Sequence, residues 1–273
     1  MRQALRSHWP EYLIEAWALG TFMISAAAFT TLLESPALPV RQAIADPDLR
    51  RALIGLAMGL TAVSIIYSPW GQRSGAHMNP AVTLTFLRLG KVARWDALFF
   101  ALAQFTGGVL GVLIAVWSIG SPFTNPPVAY AATVPGPSGA GAAFLAELLI
   151  SMGIMLVILA VSNSRRHARL TGVFAGCLVA LYIAFEAPLS GMSMNPARTF
   201  ASAAAGGSWT HAWIYYTAPI LGMQAAVEIY RRINASGSVK CAKLDHPDHV
   251  RCIHCGYEPA ARTDKQTGLA TTS

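Results

Sequence analysis

Residues 16–33 carry no charge, and with Tyr12, Leu13 and Ile14 before them they form an apolar stretch long enough to cross a bilayer as one helix. Further apolar spans cover about 52–69, 97–119, 143–161, 170–187 and 212–230, uncharged except for Glu147, Glu186 and Glu228. None alternates with the period of two that a membrane barrel strand requires. The pattern therefore predicts an all-α polytopic membrane protein with six transmembrane helices. From Ser118 to Gly141 the chain holds five prolines and no charge, which predicts an irregular external connector.

Composition agrees with this reading. Of 273 residues 54% are apolar and 12% charged, about half the charged fraction of an ordinary soluble domain, and this argues against a water-soluble enzyme. The net charge of +7 does not point to nucleic acid, because the basic residues form no stripe with interleaved aromatics. They fall in short groups between spans. Arg2 and Arg6, then Arg73, Arg88, Lys91 and Arg94, then Arg165, Arg166 and Arg169, then Arg231 and Arg232 all lie on one side of a six-span topology. That side is expected to be cytoplasmic, with both termini inside, in a cell (inner or plasma) membrane. Arg41, Arg50 and Arg51 between the first two spans run against the rule.

A short string occurs twice: Ser74-Gly-Ala-His-Met-Asn-Pro-Ala-Val-Thr83 and Ser190-Gly-Met-Ser-Met-Asn-Pro-Ala-Arg-Thr199, 116 residues apart. Each copy follows the second span of a three-span half, residues 11–118 and 143–232. An odd number of spans per half inserts the second half upside down, so the expectation is an inverted 3+3 repeat. In Asn79-Pro80-Ala81 and Asn195-Pro196-Ala197 the asparagine can cap a helix, and proline at the first helical position loses no hydrogen bond. Each following helix has room for about nine or ten residues, roughly 14 Å, half of a hydrocarbon core about 30 Å thick. Two re-entrant half-helices then meet at the midplane and line a pore, since broken backbone survives in a membrane only when buried or beside a wet cavity.

The chemistry of such a pore follows from its donors. Helix N-termini and the amides of Asn79 and Asn195 offer hydrogens to a passing water oxygen, which turns its own hydrogens outward and breaks a proton-conducting chain. Arg198, the basic residue embedded in a half-span, is expected to face the lumen and repel cations. Glu15 and Glu147, early in the first span of each half, fit either a proton relay or bracing of loop amides, with bracing favoured by their equivalent positions. His77 either braces the first loop or lines the inner vestibule. Glu186 stays without a role, and Glu228 is expected to pair with Arg231 and Arg232 at the end of span six.

These paired motifs resemble the aquaporin, or major intrinsic protein, family over roughly residues 8–232. The resemblance implies a right-handed six-helix bundle with two half-helices, a homotetramer with a pore in each subunit, and passive permeation without catalysis. It also implies an outer constriction made by Arg198, Ile183, Met192 and, in span two, Met58. Water-selective members carry an aromatic and a histidine where this chain has Met58 and Ile183. Glycerol facilitators carry an aspartate where it has Thr199. The expected permeant is water, possible companions being small neutral solutes such as hydrogen peroxide, glycerol or ammonia, with the bilayer as surroundings and no nucleic acid. An inverted-repeat secondary transporter is the alternative class.

Beyond the channel domain, residues 1–232, the polar segment 233–273 reads as a cytoplasmic C-terminal tail with weak helix periodicity. Cys241, His246, His249, Cys252, His254 and Cys255 crowd into fifteen positions, and Cys252-Ile-His-Cys255 has ligand-like spacing. The alternatives are a zinc site, acting in regulation or assembly, and an unstructured tail. Permeation itself calls for no cofactor.

Overall fold

The computed structural model describes residues 1–234 and 238–259. In chain order the helices are α1 (Arg2–Glu34), α2 (Pro39–Ala43), α3 (Pro47–Tyr67), α4 (Pro69–Ser74), α5 (Pro80–Arg88), α6 (Arg94–Ile119), α7 (Ser121–Thr124), α8 (Gly139–Ser162), α9 (Thr171–Phe185), α10 (Ala187–Ser190), α11 (Pro196–Gly206) and α12 (Ala212–Ile233). Among the described residues five are long and apolar enough to cross a membrane: α1, α3, α6, α8, and α9 with the turn from Ala168. The protein is thus an integral, multi-pass, all-α membrane protein. Large apolar side chains such as Leu102, Leu110, Leu113, Trp117, Leu149 and Phe185 point outward, where lipid tails replace water.

Several helix starts follow one rule. Asp46, Asn79 and Asn195 each sit in extended backbone, accept hydrogen bonds from amides one turn on, and precede a proline at the first helical position. The helices pair in two equivalent sets. Helix α1 packs on α6 as α8 packs on α12, α3 packs on α9 across the two halves, and α5 and α11 each contact both α6 and α12. These pairs approach closely because glycine lies at the crossings. A Cβ on Gly107 would stand 2.0 Å from the Ala16 carbonyl oxygen, on Gly59 2.5 Å from that of Gly176, and on Gly222 2.2 Å from that of Leu148. Side-chain-free contact of this kind is how helices associate where the hydrophobic effect supplies no drive.

Three expectations change against the structure. The proline-rich connector is irregular, but it is not merely external: Val128 and Ala131 are buried, and Gly136 N–H donates to the Leu189 carbonyl at 2.9 Å. Arg50, which ran against the charge rule, is buried; it pairs with Glu34 at 3.0 Å and donates to the Ile44 and Ala45 carbonyls at 2.8 and 2.9 Å. Its charge holds a loop together. Glu228 bonds chiefly to Arg88 at the end of α5, with Arg231 only at 4.0 Å, so the pair ties the short helix to α12 rather than closing on α12 alone.

Candidate permeation site

The two motif loops are built alike, residue for residue. Backbone φ is positive at Gly75, Ala76 and Met78, and again at Gly191, Met192 and Met194, the same three places in each copy. For the alanine and the methionines this left-handed conformation costs on the order of 1–3 kcal/mol each, and it persists where surrounding bonds over-determine it. Those bonds come from one buried carboxylate per loop. Glu15 accepts from the amides of His77 (3.0 Å) and Met78 (2.7 Å), from Ser74 Oγ (2.8 Å) and from Gln104 Nε2 (2.8 Å). Glu147 accepts from the amides of Ser193 (2.6 Å) and Met194 (2.7 Å) and from Ser190 Oγ (2.8 Å).

The loops then cross. Asn79 Nδ2 donates to the Met194 carbonyl at 2.7 Å, and Asn195 Nδ2 donates to the Met78 carbonyl at 2.6 Å. Meanwhile Asn79 Oδ1 accepts from Ala81 N–H at 2.8 Å, and Asn195 Oδ1 from Ala197 N–H at 3.0 Å. Each amide nitrogen has a second hydrogen left to offer. Both asparagines line one cavity of about 490 Å³. One hydrogen of each amide thus joins the two loops, and the second is the donor that the sequence reading turns toward a lumen.

The cavity reaches from Glu34, Pro47 and Arg51 at one end of the bundle to Ile66 and Leu244 at the other. Arg198, Ile183, Met192 and Met58 all line it, as do His77 and the connector residues Pro127, Val128, Ala131 and Ala132. Arg198 Nη1 is buried and has no hydrogen-bond partner among the described residues. Thr199 Oγ1 lies within hydrogen-bond distance of Ser193 Oγ (2.6 Å) and Thr133 Oγ1 (2.7 Å). Ile54 also lines the cavity, one turn outward of Met58, and the neighbouring Gly55 packs against Ala180 and Ile183. Counting from the motif missed Ile54; its place four residues before Met58 on one helix face was the available signal.

Both motif loops thus border one cavity among the membrane-length helices. A family model described as major intrinsic protein matches residues 6–230. The chain belongs to that family. It is 35% identical to Aquaporin NIP2-3 of Zea mays over 233 residues, covering 83% of this chain and 74% of that one. It is 33% identical to Aquaporin-4 of Mus musculus over 188 residues, covering 66% and 56%. The X-ray structure of the aquaglyceroporin from Plasmodium falciparum shares the fold, with a TM-score of 0.69, 20% identity, and coverage of 83% of this chain and 97% of that one. The major intrinsic proteins are passive channels for water and small neutral solutes. This chain is such a channel, not an enzyme.

The tail brings together four of its six candidate ligands. Cys241, His246, Cys252 and Cys255 place their ligand atoms within 4.8 Å of one another, with Cys241 Sγ to Cys252 Sγ at 3.4 Å and His246 Nε2 to Cys255 Sγ at 3.2 Å. His249 is not in the group. His254 turns the other way, onto the channel. Burial pushes its imidazole down to about 4, so it is neutral, and Nε2–H donates to the Ser74 carbonyl at 2.8 Å. Its ring stacks on His77, centroids 5.6 Å apart. His77 itself donates from Nε2 to the Ala242 carbonyl at 2.8 Å, while Nδ1 faces Thr83 Oγ1 at 3.0 Å. The segment expected to be a zinc site or an unstructured tail is therefore folded onto the motif loop over its described residues.

Proposed function

We propose that the cavity is a water pore with its midplane at Asn79, Pro80, Ala81, Asn195, Pro196 and Ala197 and its filter at Arg198, Met192, Ile183 and Met58. The single observation behind this reading is the reciprocal pair of asparagine bonds, 2.7 and 2.6 Å, made beside one continuous cavity. In this reading α12, 22 residues and roughly 33 Å long, is the sixth span. Helices α5 and α11, of nine and 11 residues, are the half-helices of halves 11–118 and 143–232.

Water at the midplane gives its oxygen to the free amide hydrogens, and the helix N-termini repel cations there. Arg198, in the cavity wall, adds a fixed positive charge, and its buried Nη1 has no partner among the described residues. Glu15, Glu147 and His77 act as braces: their acceptor atoms are spent on loop amides and hydroxyls, which leaves nothing to carry a proton through the membrane. The face bearing both termini is cytoplasmic, in a plasma or inner membrane, and the functional unit is a homotetramer. The cysteine–histidine group of the tail is a candidate divalent-metal site outside the permeation path's own chemistry.

A second reading, a facilitator for small uncharged solutes such as hydrogen peroxide, glycerol or ammonia, rests on the apolar walls supplied by Ile54, Met58, Ile183 and Met192. Such walls replace few of water's hydrogen bonds. Stopped-flow swelling of proteoliposomes containing the full chain, challenged with water, glycerol, urea and peroxide gradients, separates the two. Fast osmotic water flux with a low activation energy supports the water pore. Solute flux without it supports the facilitator, and flux that requires an ion gradient rejects both.

A further inference from the structure

Several groups lie outside the permeation machinery, and the tail is the one whose geometry reaches furthest. Its four soft donors are drawn from two short stretches, Cys241-x4-His246 and Cys252-x2-Cys255. A tetrahedral zinc ion with thiolates at about 2.3 Å sets its sulfurs about 3.8 Å apart. The four ligand atoms here already lie within 4.8 Å of each other, and the two nearest pairs are at 3.2 and 3.4 Å.

The surroundings suit such an ion. Gly256 N–H donates to the Cys252 carbonyl at 3.0 Å and Cys252 N–H to the Tyr257 carbonyl at 2.9 Å, which closes the Cys-x2-Cys turn. The Tyr257 ring packs against His246, centroids 5.5 Å apart. Three thiolates around a divalent ion leave one negative charge, and the buried Lys243 beside them is a candidate counter-cation, its Nζ donating to the Arg251 carbonyl at 2.7 Å.

What the group holds in place is as informative as the group. The stretch that carries the first ligand, residues 239–244, lies across the motif-loop mouth of the cavity. Leu244 lines the cavity, Val239, Ala242 and Leu244 are buried in the main core, and Leu244 N–H donates to the Gly75 carbonyl at 3.2 Å. Asp245 takes a bond from Gln72 at 2.8 Å, and Lys240 N–H gives one to Asn163 on the α8–α9 loop at 2.6 Å. A metal ion held by Cys241 and His246 together with Cys252 and Cys255 ties this stretch to the following turn and so restrains its release from the mouth.

We propose that Cys241, His246, Cys252 and Cys255 bind one zinc-class divalent cation and that this metal knot latches residues 239–244 into the mouth of the channel as a plug. The plug rests on the channel reading; the metal site does not. The full-length protein in detergent, titrated with Co²⁺, shows the thiolate-to-metal and ligand-field bands of a tetrahedral three-sulfur, one-nitrogen site at one ion per chain, displaced by Zn²⁺. The double variant Cys252→Ser, Cys255→Ser loses those bands. Hydrogen exchange at the Leu244 amide quickens on chelation. In proteoliposomes, water flux rises several-fold on chelation and falls again with Zn²⁺, while the double variant stays open and insensitive to both.

Absence of the cobalt bands, or a Cys241–Cys252 disulfide in place of metal, overturns the metal site. Cobalt binding with water flux well above empty vesicles and unchanged by chelation overturns the plug and leaves the channel reading intact. Flux equal to empty vesicles in the loaded, chelated and variant states, with exchange at Leu244 responding normally, overturns the plug together with the channel reading.

Discussion

Glu147 accepts three hydrogen bonds at 2.6 to 2.8 Å in a fully buried setting, and two of them come from the amides of a loop held at positive φ. A neutral acceptor in the same place makes weaker bonds and must turn a donating NH₂ toward one of those donors. Glu147→Gln is therefore expected to cost about 1.5–3 kcal/mol, the worth of a charge-assisted bond. It should appear as a lowered apparent Tm in detergent together with lost water flux; an unchanged Tm would count against bracing. Met192 is a different case, since its side chain lines the cavity and its neighbours can adjust. Met192→Ala is expected to raise glycerol and urea flux relative to water in stopped-flow measurements. Equal ratios in variant and parent would remove Met192 from the constriction.

At the scale of elements, the glycine crossings set how closely the helices stand, and through that the cavity's width. Gly107 faces the Ala16 carbonyl so closely that an added Cβ would lie 2.0 Å from its oxygen, against backbone that cannot swing aside. Gly107→Ala is expected to destabilise by about 1–3 kcal/mol, read as a lower Tm in thermal unfolding. Gly141 in α8 meets nothing within 4 Å, so Gly141→Ala is the control, roughly 0.5–1 kcal/mol more stable from helix propensity alone. A Gly107→Ala protein as stable as its parent would show that the α1–α6 contact is looser than the geometry states. The long helices themselves were legible in the sequence because uninterrupted apolar runs encode them locally, and the Asn-Pro starts marked the two short helices. Their partners were not: Arg88 with Glu228, or Arg50 with Glu34, depends on which helices the fold sets side by side.

Across the whole molecule, the motif loops could be read because the chain states them twice. Each carries its own acceptor rule through Ser74 and Ser190, and a distant glutamate at a matching place. The tail appears once, has few apolar residues, and gives no period, so its four clustered candidate ligands could be listed but not sorted from His249 and His254. Only the folded chain sorts them, by sending His254 to Ser74 and leaving Cys241, His246, Cys252 and Cys255 together. This separation makes latch and plug independently testable. Leu244 touches the cavity but supplies no ligand atom, so Leu244→Ala shortens the plug without altering the knot. The expected result is a cobalt spectrum identical to that of the parent, alongside water flux raised toward the chelated level even when Zn²⁺ is bound. Flux that stays at the parent's Zn²⁺-bound value would mean that the bonds from His77 Nε2–H to the Ala242 carbonyl and from Leu244 N–H to the Gly75 carbonyl, rather than the leucine side chain, close the mouth.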